Sequence, residues 1–264
     1  MIVMPTPPTP SWLLHSPIDA VVFDCDGTLS QIEGIDWLAT VNGVGKAVQA
    51  LTEEAMGKTG ITQALYTKRL DLVQPTASQL AQLGNAYYAH LTPDVDRIIA
   101  LLQRLHKAIY VVSAGIQRAV EDFAERFGIP KQNVFAVKTH FDAQGCYVDY
   151  DKNSPMTQPR GKRRVVDIIR QRHPRLVYTG DGINDTEVID QVTRFVGYGG
   201  AYFRESIAER CDFYIVSRTF LPILPLILTE TEQQALSEQD RAIFQAGLAL
   251  IKAGQVCLQS TKKV

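Results

Sequence analysis

The stretch Val21-Val22-Phe23-Asp24-Cys25-Asp26-Gly27-Thr28-Leu29 decides how the rest of the chain is read. Its apolar run predicts a strand buried on both faces, the kind found in parallel sheets. The run ends in two aspartates one residue apart, and Gly27-Thr28 reads as a tight turn leaving the strand's carboxyl end. Open α/β sheets bind their ligands at that end, so carboxylates placed there point to chemistry. Taken alone, Asp-x-Asp-Gly also fits a plain turn or a surface calcium loop. The later strands have to decide.

The bulk numbers set the frame. A chain of 264 residues is long enough for one large domain with a smaller insert. With 27 basic and 28 acidic residues the formal charge is −1, which gives no sign of a nucleic-acid partner. The cysteines Cys25, Cys146, Cys211 and Cys257 form no CxxC pair, which speaks against zinc and for a reduced, cytoplasmic setting. Residues 1–18 read as a loosely held, proline-rich arm without the basic n-region of a secretory signal. The apolar run Phe220 to Leu228 is too short to span a bilayer and carries prolines, so no membrane is expected.

Strands and helices then alternate. Gln31 to about His90 has helical texture and no β-type alternation, which predicts an all-helical insert over 32–91. Thr92-Pro93 reads as a helix start, with Thr92 as N-cap and the helix running over Asp94 to Lys107. Ala108 to Val112 is a second buried strand ending at Ser113-Ala114-Gly115, and a helix follows through Phe127. Val134 to Val137 is a third strand, and His140 to Tyr150 reads as a hairpin turning at Asp142 to Gly145. Gly161-Lys162 opens another helix. Leu176 to Gly180 is a fourth strand, ending in Asp181-Gly182-Ile183-Asn184-Asp185. Phe195 to Tyr198 and Phe213 to Val216 complete the series. The expected fold is α/β: a Rossmann-like parallel sheet formed by 19–31 and 92–219, with an inserted all-helical cap and a small β-hairpin flap. Residues 220–264 read as a helical extension.

In a parallel sheet all strand carboxyl ends lie on one edge, so Asp24/Asp26, Ser113, Lys162 and Asp181/Asp185 are expected to converge. In this order the four motifs resemble the haloacid dehalogenase superfamily of phosphatases. The resemblance implies that Asp24 is a nucleophile forming an aspartyl-phosphate and Asp26 the general acid and then base. It also implies that Mg²⁺ is held by Asp24, Asp181 and a backbone carbonyl of Asp26. Asp185 would support the metal's water shell or Lys162. Ser113, Ala114, Gly115, Lys162 and Asn184 would meet the phosphate. The cations have a physical task, since a carboxylate ~4 Å from a phosphate dianion is repelled by roughly 8 kcal/mol at an effective dielectric near 20. The plainer readings stay open: Lys162 as one solvated charge beside Arg160, Arg163 and Arg164, and Ser113 as a turn residue.

Gln31-Ile32-Glu33-Gly34-Ile35-Asp36-Trp37-Leu38-Ala39 and Thr52-Glu53-Glu54-Ala55-Met56-Gly57 narrow the resemblance. They are similar to the helical cap of the phosphoserine phosphatase family, and the likeness runs over about residues 19 to 218. It implies conversion of L-phosphoserine to L-serine and phosphate, a step of serine biosynthesis. Glu33 would bind the substrate ammonium, Arg69 its carboxylate, and Met56 would line the pocket. The bland readings are a helix N-terminal acid for Glu33, a solvated helix charge for Arg69 and a core methionine for Met56. The pattern departs from the family in three places, one of them the stretch from Met56 to Arg69, whose spacing matches only if a one-residue deletion and a one-residue insertion cancel. Ile61 or Thr62 stands where a phenylalanine is usual, and Ala114 replaces a glycine beside the phosphate.

Other readings keep the machinery and change the substrate: a phosphatase for another small phosphorylated metabolite, or a phosphotransferase passing the phosphoryl group to an alcohol. A scaffold that binds a partner is the non-enzymatic alternative. P-type ATPases share Gly-Asp-Gly-x-Asn-Asp, but they carry lysine where Asp26 stands here, and no membrane span is present. The links near Ser30 and Leu91, with Gly57 and Gly60, are expected to let the cap rock over the core.

Overall fold

The structure is a computed structural model and describes residues 10, 12–54 and 62–259. In chain order, β1 (Ala20–Phe23) is followed by α1 (Gly34–Val41), α2 (Gly45–Glu54), α3 (Gln63–Val73) and α4 (Ala77–Ala89). Next come α5 (Val95–Arg104), β2 (Ala108–Ile116), α6 (Gln117–Ala124), β3 (Val134–Val137), and the pair β4 (Thr139–Phe141) and β5 (Tyr147–Tyr150). The chain continues through α7 (Gly161–Arg170), β6 (Leu176–Gly180), α8 (Ile183–Thr186), β7 (Arg194–Tyr198), α9 (Glu205–Ala208) and β8 (Phe213–Ile215). It closes with α10 (Ile223–Ile227), α11 (Glu230–Gln234), α12 (Glu238–Lys252) and β9 (Val256–Leu258).

The seven-stranded sheet has the order β3-β2-β1-β6-β7-β8-β9 and is parallel except for β9. β1 is buried along its whole length and pairs with β2 on one side and β6 on the other. A strand with two neighbours and both faces covered has no polar position to fill, which is why Ala20 to Phe23 reads as unbroken apolar sequence. The strand order reverses direction between β1 and β6, the place where such sheets open a crevice at their carboxyl edge. β4 and β5 form a separate antiparallel hairpin.

The helical stretch α1 to α4 leaves and rejoins the core through two strands of chain that are tied together. Gln31 N donates to His90 O (2.8 Å), Thr92 N to Leu29 O (3.0 Å), and the Ser30 hydroxyl to Tyr87 O (2.9 Å). Helix α4 packs on α6 of the core, and Ala77 N donates to Gly145 O of the hairpin turn (2.9 Å). Gly57 and Gly60 lie outside the described residues.

Four sequence expectations change. Asp94, in left-handed conformation (φ 69), stands at the N-cap position of α5 without a side-chain cap bond; the Thr92 hydroxyl donates inward to Thr28 O (2.7 Å), which takes it from the cap position. β2 runs on to Ile116 with a register shift between Val112 and Ile116, so Ser113 to Gly115 lie inside an irregular strand and not after it. Trp12 and Leu14 of the expected loose arm are half-buried against the core, and Trp12 O accepts from Arg194 (2.6 Å). The expected helical extension ends in a strand: β9 pairs antiparallel with β8 and extends the sheet.

That extension is anchored by charge. Lys107 is buried, donates to Ile18 O (2.8 Å) and pairs with Glu232, whose other oxygen takes the backbone N–H of Thr229 (2.9 Å) and closes a capping box on α11. Removing Glu232 strands the buried Lys107 charge and also breaks the capping box. Glu232→Ala is expected to lower unfolding stability by about 3 kcal/mol in urea titration, with Glu232→Gln costing less because the cap survives. Equal stability of Glu232→Ala and the parent chain would remove this anchor from the account.

Candidate active site

The residues singled out from sequence come from different elements and meet around one cavity. Asp24, Asp26, Glu33, Arg69, Ser113, Ala114, Gly115, Lys162, Asn184 and Asp185 all line it. Asp181 is fully buried and stands behind that lining. Met56 and Ile61 lie outside the described residues. Thr62 is exposed and serves as N-cap of α3, so it fills no pocket position.

Asp24 and Asp26 follow β1, with Cys25 packed into the core between them. Asp24 Oδ1 accepts from Cys25 N (2.7 Å), and its Oδ2 lies 2.9 Å from Lys162 Nζ. Lys162 sits in the first turn of α7, is buried, and is 2.6 Å from Asp185 Oδ1. Its solvated-charge reading therefore fails. Asp185 is held on both oxygens: Oδ1 also accepts from the Tyr178 hydroxyl (2.8 Å), and Oδ2 from Gly182 N (2.9 Å). Asp181 accepts from the Thr28 hydroxyl (3.3 Å) and pairs with Arg204. Gly27 adopts φ 67, and a side chain there would also overlap the Asp181 carboxylate, so the turn after Asp26 requires glycine on both counts.

Burial governs the protonation of these groups. It pushes the Asp24 carboxyl well above the usual carboxylate range, the Asp185 charge adds to this, and Lys162 pulls back. Glu33 is raised by burial and then by Asp26, with Arg204 opposing. Asp181 is pushed up to about 6 by burial, against Arg204. Burial pulls Lys162 down, but Asp185 and Asp24 outweigh it and hold the ammonium well above its ordinary range.

Asp24, Asp181 and Asp185 each offer a carboxylate oxygen, all within 4.8 Å of one another and all buried. Three hard oxygen donors in a cluster fit a hard divalent cation. Asp185 thus joins the acidic cluster as well as the lysine.

The helical insert brings the remaining charges. Glu33 occupies the N-cap position of α1 without making a side-chain cap bond, so the cap does not explain it. Its Oε1 is buried without a hydrogen-bond partner among the described residues, and Arg204 Nη2 lies 3.8 Å away. Arg69 lies on the buried face of α3 with Tyr66, Leu70 and Val73. It donates to the Thr52 hydroxyl (3.4 Å), and its Nε finds no partner among the described residues. Ser113 donates to Asp26 Oδ2 (3.0 Å) and accepts from Gly115 N (2.8 Å), so it orders the strand end as well as facing the cavity.

Sequence reading passed over two site residues. Arg204 follows Gly199-Gly200 at the carboxyl edge of β7 and reaches both Asp181 of the core and Glu33 of the insert; its position just after a strand end was the available signal. Tyr87, on α4, donates to Asp26 (2.8 Å). It continues the Leu80, Leu83 apolar face, where an aromatic reads as core.

A family model for haloacid dehalogenase-like hydrolases matches residues 18–192. The chain belongs to that family. Among individual relatives, it is 35% identical to the phosphoserine phosphatase of Bos taurus over 75% of this chain and 88% of that protein. It is 31% identical to the chloroplastic phosphoserine phosphatase of Arabidopsis thaliana over 75% and 68%. Of solved structures, a substrate-bound phosphoserine phosphatase superposes with TM-score 0.71 at 22% identity, covering 81% of this chain and all of that one. A phosphoserine phosphohydrolase-like protein from Francisella tularensis gives 0.69 at 21% identity over 76% and 96%. These two structures share the fold described above.

The raised carboxyls predict a pH dependence. In the unfolded chain they ionise near pH 4, and in the fold Asp181 does so near 6, with Asp24 and Glu33 shifted the same way. The native state therefore binds more protons, so this stability is full below about pH 4 and is lost as pH rises through about 6. Without divalent cation, the urea midpoint is expected to fall over that window, and a saturating divalent cation to restore it. A midpoint that rises across the window would contradict the charge assignment.

Proposed function

We propose that the chain is a Mg²⁺-dependent phosphomonoester hydrolase that works through an aspartyl-phosphate on Asp24, with L-phosphoserine as its substrate. One observation carries the substrate class. Beside a nucleophile-lysine pair, the same buried cavity holds a carboxylate and a guanidinium that each leave a polar atom without a hydrogen bond among the described residues, Glu33 Oε1 and Arg69 Nε. Buried polar atoms are normally satisfied, and a zwitterionic amino acid supplies an ammonium for the first and a carboxylate for the second. The named phosphoserine phosphatases among its relatives support the same choice.

The side chains divide the work. Lys162 lies against Asp24 and offsets its charge as a phosphate approaches. Asp24 attacks phosphorus while the bond to the alkyl oxygen breaks, and Asp26 gives that oxygen its proton. Water then attacks the aspartyl-phosphate, passing a proton to Asp26, and the Asp24 carboxylate is regenerated as phosphate leaves. Asp24, Asp181 and the backbone carbonyl of Asp26 would hold Mg²⁺, with Asp185 next to them. Bound there, the ion would screen phosphoryl oxygens and keep nucleophile and phosphorus in line. Among the described residues, no helix is long and apolar enough to cross a membrane. A cytoplasmic setting agrees with four cysteines that are all free.

Phosphate release from a panel of phosphomonoesters tests this. Asp24→Asn is expected to abolish turnover. Arg69→Ala is expected to raise KM for L-phosphoserine by about 100-fold, in line with the ~3 kcal/mol of a charged hydrogen bond, and to change little for phosphate esters without a carboxylate. Equal rates for the parent chain on phosphoserine and on esters lacking the amino-acid group would overturn the substrate. Transfer of the phosphoryl group to an added alcohol in place of water would make the chain a phosphotransferase.

A further inference from the structure

Tyr87 is a fully buried phenol on α4 that the mechanism above does not use. Its hydroxyl lies 2.8 Å from Asp26 Oδ1, and Gly34 N at the start of α1 lies 2.6 Å from the same oxygen. Among the described residues, the other oxygen, Oδ2, has the Ser113 hydroxyl as its hydrogen-bond partner, at 3.0 Å. The fit around the phenol is close: a Cβ at Gly34 would overlap the Tyr87 hydroxyl, and one at Gly115 would lie 3.2 Å from it.

We infer that Tyr87 is a positioning residue for acid catalysis, which, with Gly34 N, occupies Asp26 Oδ1 and so leaves Oδ2 as the oxygen that delivers the proton to the leaving group. An amide N–H has no capacity to accept, so Gly34 always donates to Oδ1. A phenol donating beside it fills that oxygen's two in-plane lone-pair directions. A proton on Oδ1 would cost one of these bonds. A proton on Oδ2 costs none, because the Ser113 hydroxyl rotates to accept it while still taking the Gly115 N–H. The phenol is the donor in this pair, because an ionised carboxylate oxygen can only accept. Both donors to Oδ1 come from the helical insert and the partner of Oδ2 comes from the core, so the acid is oriented only with the insert seated.

The inference rests on the proposed hydrolysis and is read from its first step, in which the phosphorus–oxygen bond breaks and the proton moves from Asp26 Oδ2 to the departing oxygen. An alkoxide needs that proton; the carboxylate released from acetyl phosphate does not. The test is kcat/KM for Tyr87→Phe on L-phosphoserine, or on the alkyl phosphate the parent chain cleaves fastest, and on acetyl phosphate. General acid catalysis is worth ~10²–10⁴-fold, and misaligning the acid should forfeit part of that. The ratio of the alkyl to the acetyl value is expected to fall about tenfold, and a further Asp26→Asn to lower it less in the Tyr87→Phe chain than in the parent, since the two act as a unit. A ratio unchanged by Tyr87→Phe overturns the inference, as does equal loss on both substrates, the mark of a residue that only fills space. Failure of the underlying reading looks different: a parent chain that cleaves neither ester, or an Asp24→Asn chain that keeps its turnover.

Discussion

The site depends on compensating carboxylates that have been taken out of water. Asp24, Asp181 and Asp185 crowd one sheet edge within 4.8 Å of each other, and Lys162 binds two of them at once. An isolated buried carboxylate costs several kcal/mol even after relaxation. Each of these three is therefore locked by a cation, a backbone amide or a hydroxyl. Around the cavity, among the described residues, five acidic groups (Asp24, Asp26, Glu33, Asp181 and Asp185) face three cations, Arg69, Lys162 and Arg204. Five negative and three positive charges leave a formal −2, which one divalent cation would neutralise. Until such charge arrives, the strain is relieved by protonation, and this is why burial lifts Asp24, Glu33 and Asp181 together.

The topology makes that crowding possible. β1 and β6 are adjacent and parallel, so Asp24 and Asp181 emerge on the same edge although 157 positions separate them in sequence. α7 begins at that edge too, which brings Lys162 against Asp24 and Asp185. No local propensity could assemble these charges. The long-range apolar pairing of the strands does it and offsets the electrostatic cost with buried surface.

How much was legible follows from the same physics. Fully buried parallel strands favour apolar residues, so β1 and β6 stand out as runs, and the polar groups at their ends announce the site. The hairpin is legible through Asp142 to Gly145. Thr92 was misread because its hydroxyl serves Thr28 O, a residue 64 positions earlier that no window around Thr92 contains. β9 is a strand because β8 offers it an edge, which Val256 to Leu258 do not reveal by themselves. Arg204 and Tyr87 were missed for a related reason. An arginine after a strand looks solvated and a tyrosine on an apolar face looks like core, until tertiary contacts put them on Asp181 and Asp26.

The insert then does more than bring Glu33 and Arg69 to the cavity. Arg69 and Glu33 hang from it and face the cavity, and so do both donors to Asp26 Oδ1. With the insert seated, Asp24 is buried, α4 packs on α6 and the links meet at Ser30 and Leu91. Recognition, orientation of the acid and exclusion of water are thus functions of one docking event. An acid held competent only under those conditions spends its proton on a bound ester and not on bulk water. The arrangement places control of the chemistry in the contact between two layers of the fold, while the reacting carboxylate stays fixed on the rigid end of the central strand.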